Sequence, residues 1–168
     1  MKVVLIIFLI FLFSSCNLDE NPHGIKKITI AIGGCSKGCE FSIYEADSVR
    51  NLRYLCVWNC DSGGIRKGNI SNETWNIINK ALRGIELKNF NSQNNIQDTS
   101  LYLNIKLMTF DNQYFINGNL DSLPTKLSNF VRLTLNEFKK VNLAKSINAN
   151  DFNFEIEVPS ENYYRLPY

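Results

Sequence analysis

Two cysteine pairs, each beside a Gly-Gly, constrain this chain more than any other feature. Gly33-Gly34-Cys35-Ser36-Lys37-Gly38-Cys39 opens the stretch, and Cys56-Val57-Trp58-Asn59-Cys60-Asp61-Ser62-Gly63-Gly64 closes it. Between them Phe41 and Ile43, then Leu52, Tyr54, Cys56 and Trp58, recur at every second position. That period belongs to a strand with one face inward. The two C-x-x-x-C pairs therefore bracket a β-hairpin, and they use four of the five cysteines.

The fifth cysteine, Cys16, ends an apolar leader. Met1-Lys2 is a short basic start, residues 3–13 are unbroken apolar, and Ser14-Ser15-Cys16 follows. This is the layout of a secretory signal, and its apolar run is too short to span a bilayer, which takes roughly 20 residues. Cleavage after Ser15 would put Phe13 at position −3, a poor fit to an ordinary signal peptidase site. The small-small-Cys ending resembles a bacterial lipobox instead, although Phe13 replaces the usual Leu. On that pattern Cys16 is acylated on sulfur and becomes the mature N-terminus. The alternative is a plain secreted protein cut after Cys16, with Ser14 at −3. The organisation expected is a signal peptide over 1–15, the lipidated Cys16 with a tether over 16–24, one domain over 25–158, and an aromatic tail over 159–168. His23, the single histidine, falls in the tether. It cannot by itself build a metal site or a triad.

About 145 residues follow the tether, enough for one ordinary core. Lys2 leaves with the leader, so 17 of the 18 basic residues face 16 acidic ones. With no basic excess, nucleic acid is excluded as a partner class.

The rest of the chain alternates strand and helix patterns. Ile28, Ile30 and Ile32 form a first strand before the hairpin, with turn residues over 47–51. Residues 61–68 read as a Gly-rich loop carrying Arg66 and Lys67. Ser71 or Asn72 caps a helix whose apolar stripe is Trp75, Ile78, Ala81, Leu82 and Ile85. Leu101, Leu103, Ile105 and Leu107 make a fourth strand, and Asp111-Asn112 turns into a fifth over 113–117. Asp121 or Ser122 caps a second helix, with Pro124 in its first turn and a stripe running from Leu127 to Val141. Phe152, Phe154, Ile156 and Val158 predict a sixth strand. The expectation is an α+β fold: an antiparallel sheet in the order βββαββαβ, two amphipathic helices on one face, and a disulfide-stapled hairpin.

G-G-C-x-x-x-C followed by a strand, a Gly-containing loop, a capped helix, a two-strand hairpin and another helix resembles a domain of unknown function. That domain occurs in bacterial lipoproteins and periplasmic proteins, and its members open with G-G-C-x-x-x-C-P. Here Gly33 to Cys39 carries the match, and the layout stays similar to about Val141. Glu40 stands where the family has Pro, and Cys56 and Cys60 lie outside its pattern. The resemblance implies an envelope location and a fold, and no chemistry. It also implies a local Cys35–Cys39 link.

An exported protein meets oxidising conditions, where cysteines in even number become disulfides. A Cys₄ zinc site is disfavoured by the x₃ spacings and the lack of a nearby histidine. A redox pair would be C-x-x-C at a helix N-terminus, and these pairs sit in loop and strand. If Cys39 faces Cys56, then Phe41 faces Tyr54 and Ile43 faces Leu52. Cys60 then runs on toward Cys35, giving nested bridges Cys39–Cys56 and Cys35–Cys60. A second register sets Cys39 opposite Cys60 and Phe41 opposite Trp58. It leaves Cys56 about 13 Å from the Cys39 end, too far for a bridge.

No catalytic constellation emerges, and no metal or cofactor is expected. Gly33-Gly34 and Gly63-Gly64 match neither a dinucleotide fingerprint nor a phosphate loop. Glu155 and Glu157 share one strand face, as solvent-side carboxylates do. Lys37, Arg66 and Lys67 read as a solvated loop rather than an anion site. The expected function is a membrane-anchored envelope lipoprotein acting as a non-enzymatic interaction or structural module. Its partners are the membrane, through the lipid anchor, and an envelope protein. The alternative is an envelope enzyme or thiol-redox protein using Cys35, Cys39, Cys56 and Cys60.

Overall fold

The computed structural model describes residues 24–33, 40–59, 64–87 and 101–146, with Phe154 and Ile156. Within them seven strands form one antiparallel sheet: β1 Ile25–Gly33, β2 Phe41–Asp47, β3 Asn51–Trp58, β4 Gly64–Asn69, β5 Tyr102–Thr109, β6 Gln113–Asn119 and β7 Ala144–Lys145. The order across the sheet is β6-β5-β1-β2-β3-β4-β7. Helix α1 spans Asn72–Leu82 and helix α2 spans Thr125–Lys139.

The alternation of β1 divides the sheet into two faces. Ile28 and Ile30 point into the main core, while Thr29 and Ala31 point the other way, and all four are fully buried. A register shift between Ile25 and Lys27 returns Ile25 to the main core side, as a bulge does by inserting one residue. The main core joins Ile28, Ile30, Tyr44, Ala46, Leu52, Leu103, Ile105 and Leu107 of the strands to both helices. Trp75, Ile78 and Leu82 come from α1, and Leu127, Phe130, Val131, Leu135 and Phe138 from α2. Each fully buried side chain of this kind contributes about 1.5–3 kcal/mol.

Local signals set the helix ends. Ser71 Oγ accepts the Thr74 N–H at 3.1 Å, which satisfies one of the orphan donors of the first turn. Gly84, at φ +81°, follows the C-cap Arg83 of α1 in the left-handed region. Helix α2 begins differently from expectation. Residues Leu120–Ser122 form a 3₁₀ turn, Pro124 takes the capping position, and no side chain caps the helix. Asp121 instead pairs with Arg132 at 2.5 Å.

The expected fold class is corrected. The architecture is a mostly antiparallel, all-β-like sheet of seven strands with two helices, and four strands precede the first helix. Residues 64–68 of the Gly-rich stretch read as a loop belong to strand β4, which pairs residue for residue with β3 from Asn51↔Asn69 to Cys56↔Gly64. Its glycines depress β propensity, and Ile65 is its one buried apolar side chain, so the local signal is weak. Pairing on both sides compensates. Gly68 lies where a Cβ would meet Asn142 O at 2.6 Å, so the chain after α2 can cross β4 only because that Cβ is missing. The last described strand is Ala144–Lys145, whereas Phe154 and Ile156 are described outside any strand. The rest of the expected sixth strand lies outside the described residues.

The expected hairpin register is corrected too. Phe41 pairs with Trp58, Ile43 with Leu55 and Tyr44 with Tyr54, with a shift between Phe41 and Ser42. The nested register required Phe41 opposite Tyr54 and Ile43 opposite Leu52. A tight turn causes the change. Arg50 adopts φ +70° and its N–H donates to Asp47 O at 2.8 Å, while both oxygens of Asp47 hold Asn51. The strands thus begin pairing at Ala46↔Leu52, and the bulge shifts the far end. No disulfide joins two described residues.

Candidate functional site on the open face

The face away from the helices is split. Near one end Ala31, Phe41 and Ile43 form a small buried cluster, covered by the half-buried Leu55, Tyr102, Phe154 and Ile156. Beside it the strands present polar side chains. The register places Lys106, Thr29, Glu45, Arg53 and Lys67 on one cross-strand rung, each from a different strand. The next rung carries Asp47, Asn51 and Asn69. A shallow cleft of about 430 Å³ runs between the two rungs over β2, β3 and β4.

Glu45 is the centre of this row, and only 5% of it is exposed. Its Oε2 accepts from Thr29 Oγ1 at 3.1 Å and lies 3.2 Å from Lys27 Nζ. Its Oε1 accepts from the Arg53 guanidinium. A carboxylate taken out of water costs several kcal/mol unless its lone pairs are filled. Three donors, two of them cationic, do that here. The Arg53 guanidinium also lies over the Phe154 ring, 4.7 Å from its centre. The polar row and the apolar cluster are thus one continuous surface, joined at Arg53.

A second polar contact sits at the other end of the hairpin. The Tyr54 hydroxyl donates to Glu40 Oε1 at 2.8 Å. Burial first, and the adjacent Glu40 carboxylate second, push the Tyr54 phenol well above its ordinary value, with Arg66 opposing. Burial likewise raises Tyr44, whose ring lies 4.8 Å from that of Tyr54. Both phenols stay neutral at physiological pH.

The residues singled out from sequence are placed as follows. Cys56 lies in β3, 5% exposed, opposite Ser42 and Gly64. It is disulfide-bonded, to a cysteine outside the described residues. Its sulfur therefore has no proton to donate, and its 3.7 Å approach to Phe41 O is a packing contact. Cys16, Cys35, Cys39 and Cys60 lie outside the described residues, as do His23, Lys37, Glu155, Glu157 and residues 159–168. Arg66 and Lys67 are adjacent on β4, so they point to opposite faces and do not form one cluster. Gly33 of the Gly-Gly motif has a structural use. At φ +138°, a Cβ there would lie 2.1 Å from Glu40 O, so only glycine lets the two backbones meet.

Sequence reasoning missed Lys27, Thr29, Glu45 and Arg53. One signal was available: Glu45 continues the inward series Phe41, Ile43 with a charge. A carboxylate on a buried strand face demands partners. Among the described residues no three His, Cys, Asp or Glu side chains gather to hold a metal ion, and no helix is long and apolar enough to cross a membrane. No protein-family model matches the chain, and no curated protein matches it.

Proposed function

We propose that this chain is a lipid-anchored module of the bacterial cell envelope that works by interaction rather than catalysis, with an envelope protein as its partner on the open face. The observation that carries this reading is the state of Glu45. Its carboxylate is held by Thr29, Lys27 and Arg53, so its lone pairs are committed to ordering the face. Around it the rim is mixed in sign, Asp47 against Lys67, with Asn51 and Asn69 between. A shallow cleft of mixed charge suits a polar protein surface.

The leader ending in Ser14-Ser15-Cys16 supports the anchor. The first strand residue, Ile25, donates its N–H to Asn79 Oδ1 of α1 at 2.8 Å. The first strand thus begins beside the helix layer, and the open face lies on the far side of the sheet. Eight residues separate Cys16 from Ile25, a reach of roughly 30 Å.

Two measurements test this proposal. Cys16→Ser should release the protein from the membrane fraction, and the wild type should incorporate labelled palmitate. A Ser variant that stays membrane-bound, with no label in the wild type, removes the anchor. Lys67→Glu with Asn69→Arg, both at exposed positions, should abolish co-purification of an envelope protein with the wild-type bait. An unchanged set of captured proteins removes the open face as the interface.

A further inference from the structure

The two edges of the sheet are built in opposite ways. At one edge β7 is two residues long, exposed, and includes Lys145. Short, charged edges resist pairing with another chain. At the other edge β6 is seven residues long, Gln-Tyr-Phe-Ile-Asn-Gly-Asn, with no charge and no proline. Its register with β5 runs without a shift from Tyr102↔Asn119 to Met108↔Gln113, so no bulge turns it away. Among the described residues β6 has no neighbour beyond β5. In an antiparallel strand alternate residues aim N–H and C=O outward. Over 113–118 no described strand pairs with that outward row.

The side chains of β6 suit the same use. Phe115 is 54% exposed on the open face, with Lys106 Nζ 5.7 Å from its ring centre. Ile116 and the half-buried Tyr114 pack on the main core and hold the strand flat against the sheet. Phe110, at the tip of the β5–β6 hairpin, is 55% exposed. These two are the large exposed aromatic side chains among the described residues, and both lie on this hairpin.

We infer that β6 is an interface between two copies of this chain, paired antiparallel edge to edge about a twofold axis at Phe115, so that two seven-stranded sheets become one. A second copy is the occupant this edge fits. An open antiparallel edge is completed by another strand with an open edge, and β6 is the long open edge among the described residues. An uncharged strand meets its own copy with no like charges face to face, which is what self-pairing requires. With the axis at Phe115, the two Phe115 rings lie opposite each other on the open face, and Tyr114 meets Ile116 on the other. Aromatic cross-strand pairs are among the more favourable ones. The pairing leaves the cleft over β2, β3 and β4 uncovered, because β5 and β1 lie between it and β6. It is independent of the lipid anchor.

The test uses the full chain in detergent at a large excess of micelles, so that two copies do not share a micelle by chance. Benzoylphenylalanine in place of Phe115 should photocrosslink to residues 113–117 of a second copy. The amides of β6 should exchange slowly when the protein is concentrated and rapidly when it is dilute. Phe115→Lys should raise the concentration of half-dimerisation at least about ten-fold, a change of ~1.4 kcal/mol. The β1 and β2 amides should stay protected, because Phe115 is exposed. Gln113→Lys, at another exposed position of the strand, should shift it in the same direction. A wild type that stays monomeric at every concentration overturns the inference. So does a dimer indifferent to both lysines, or a crosslink that lands outside β6 or on another protein.

Discussion

The two faces of the sheet are made by the same strands and serve different ends. The helix-covered face is continuous and apolar from Leu107 on β5 to Leu52 on β3, closed by Phe130, Val131 and Phe138. The open face has a small apolar corner around Phe41 and a row of charges centred on Glu45. The first face is insensitive to direction, since any well-packed set of hydrocarbons of the right volume fills it. The second depends on geometry, because a buried carboxylate is tolerable only while its donors stay in place. Stability is therefore concentrated on one side and specific chemistry on the other.

The largest expected effect comes from cutting the covered face. Phe138→Ala removes a fully buried ring stacked near Tyr44, and should cost about 3–5 kcal/mol in urea unfolding. Phe154→Ala, on the half-buried open side, should cost clearly less. Equal costs would show the open face to be a second full core, and the contrast would fail. Next comes Glu45→Ala, which leaves Lys27 and Arg53 facing a cavity. Those partners keep 22% and 20% of their side chains exposed and can turn partly to water. The expected loss is about 2–3 kcal/mol, below the range for a fully buried pair. A loss under about 0.5 kcal/mol, the size of an ordinary surface change, would make Glu45 a bystander.

A smaller effect concerns pH. The Tyr44 and Tyr54 phenols are raised above 10.0 in the folded chain, and both ionise near 10.0 once unfolded. Below pH 10 both states hold these protons, so the tyrosines add no slope. Above it the unfolded chain releases them first, and stability should fall as pH climbs from 10 toward the folded values. Urea midpoints between pH 8 and 11.5 check this, and Tyr54→Phe should flatten part of the decline. An unchanged profile in that variant would assign the decline elsewhere. The smallest expected effects are local. Ser71→Ala should cost about 1 kcal/mol through the lost cap of α1. Lys67→Ala on the open rim should stay within about 0.5 kcal/mol, whatever it does to binding.

Much of the covered face was legible in the chain itself. The alternation at Ile28 and Ile30 and at Leu103, Ile105 and Leu107 marks strands where the structure has them, and Ser71 caps α1 as its side chain allows. Period and capping are written within about ten residues, so local sequence carries them. The class and strand order were misread because β4 has two glycines and one buried apolar residue, and it becomes a strand only between β3 and β7. The hairpin register was misread because the left-handed Arg50 and the shift beside Ser42 decide it, and neither leaves a mark in the apolar pattern.

What the sequence by itself determined is the inward-facing positions of β1 and β5, Leu52 on β3, and the stripes of both helices. Tertiary structure alone decided which strands pair, in what register, and which charges meet. The reason is distance along the chain. Thr29 finds Glu45 across 16 positions, and Ile25 finds Asn79 across 54. Contacts of that span form only once the sheet has closed, and the Glu45 row exists only as their product.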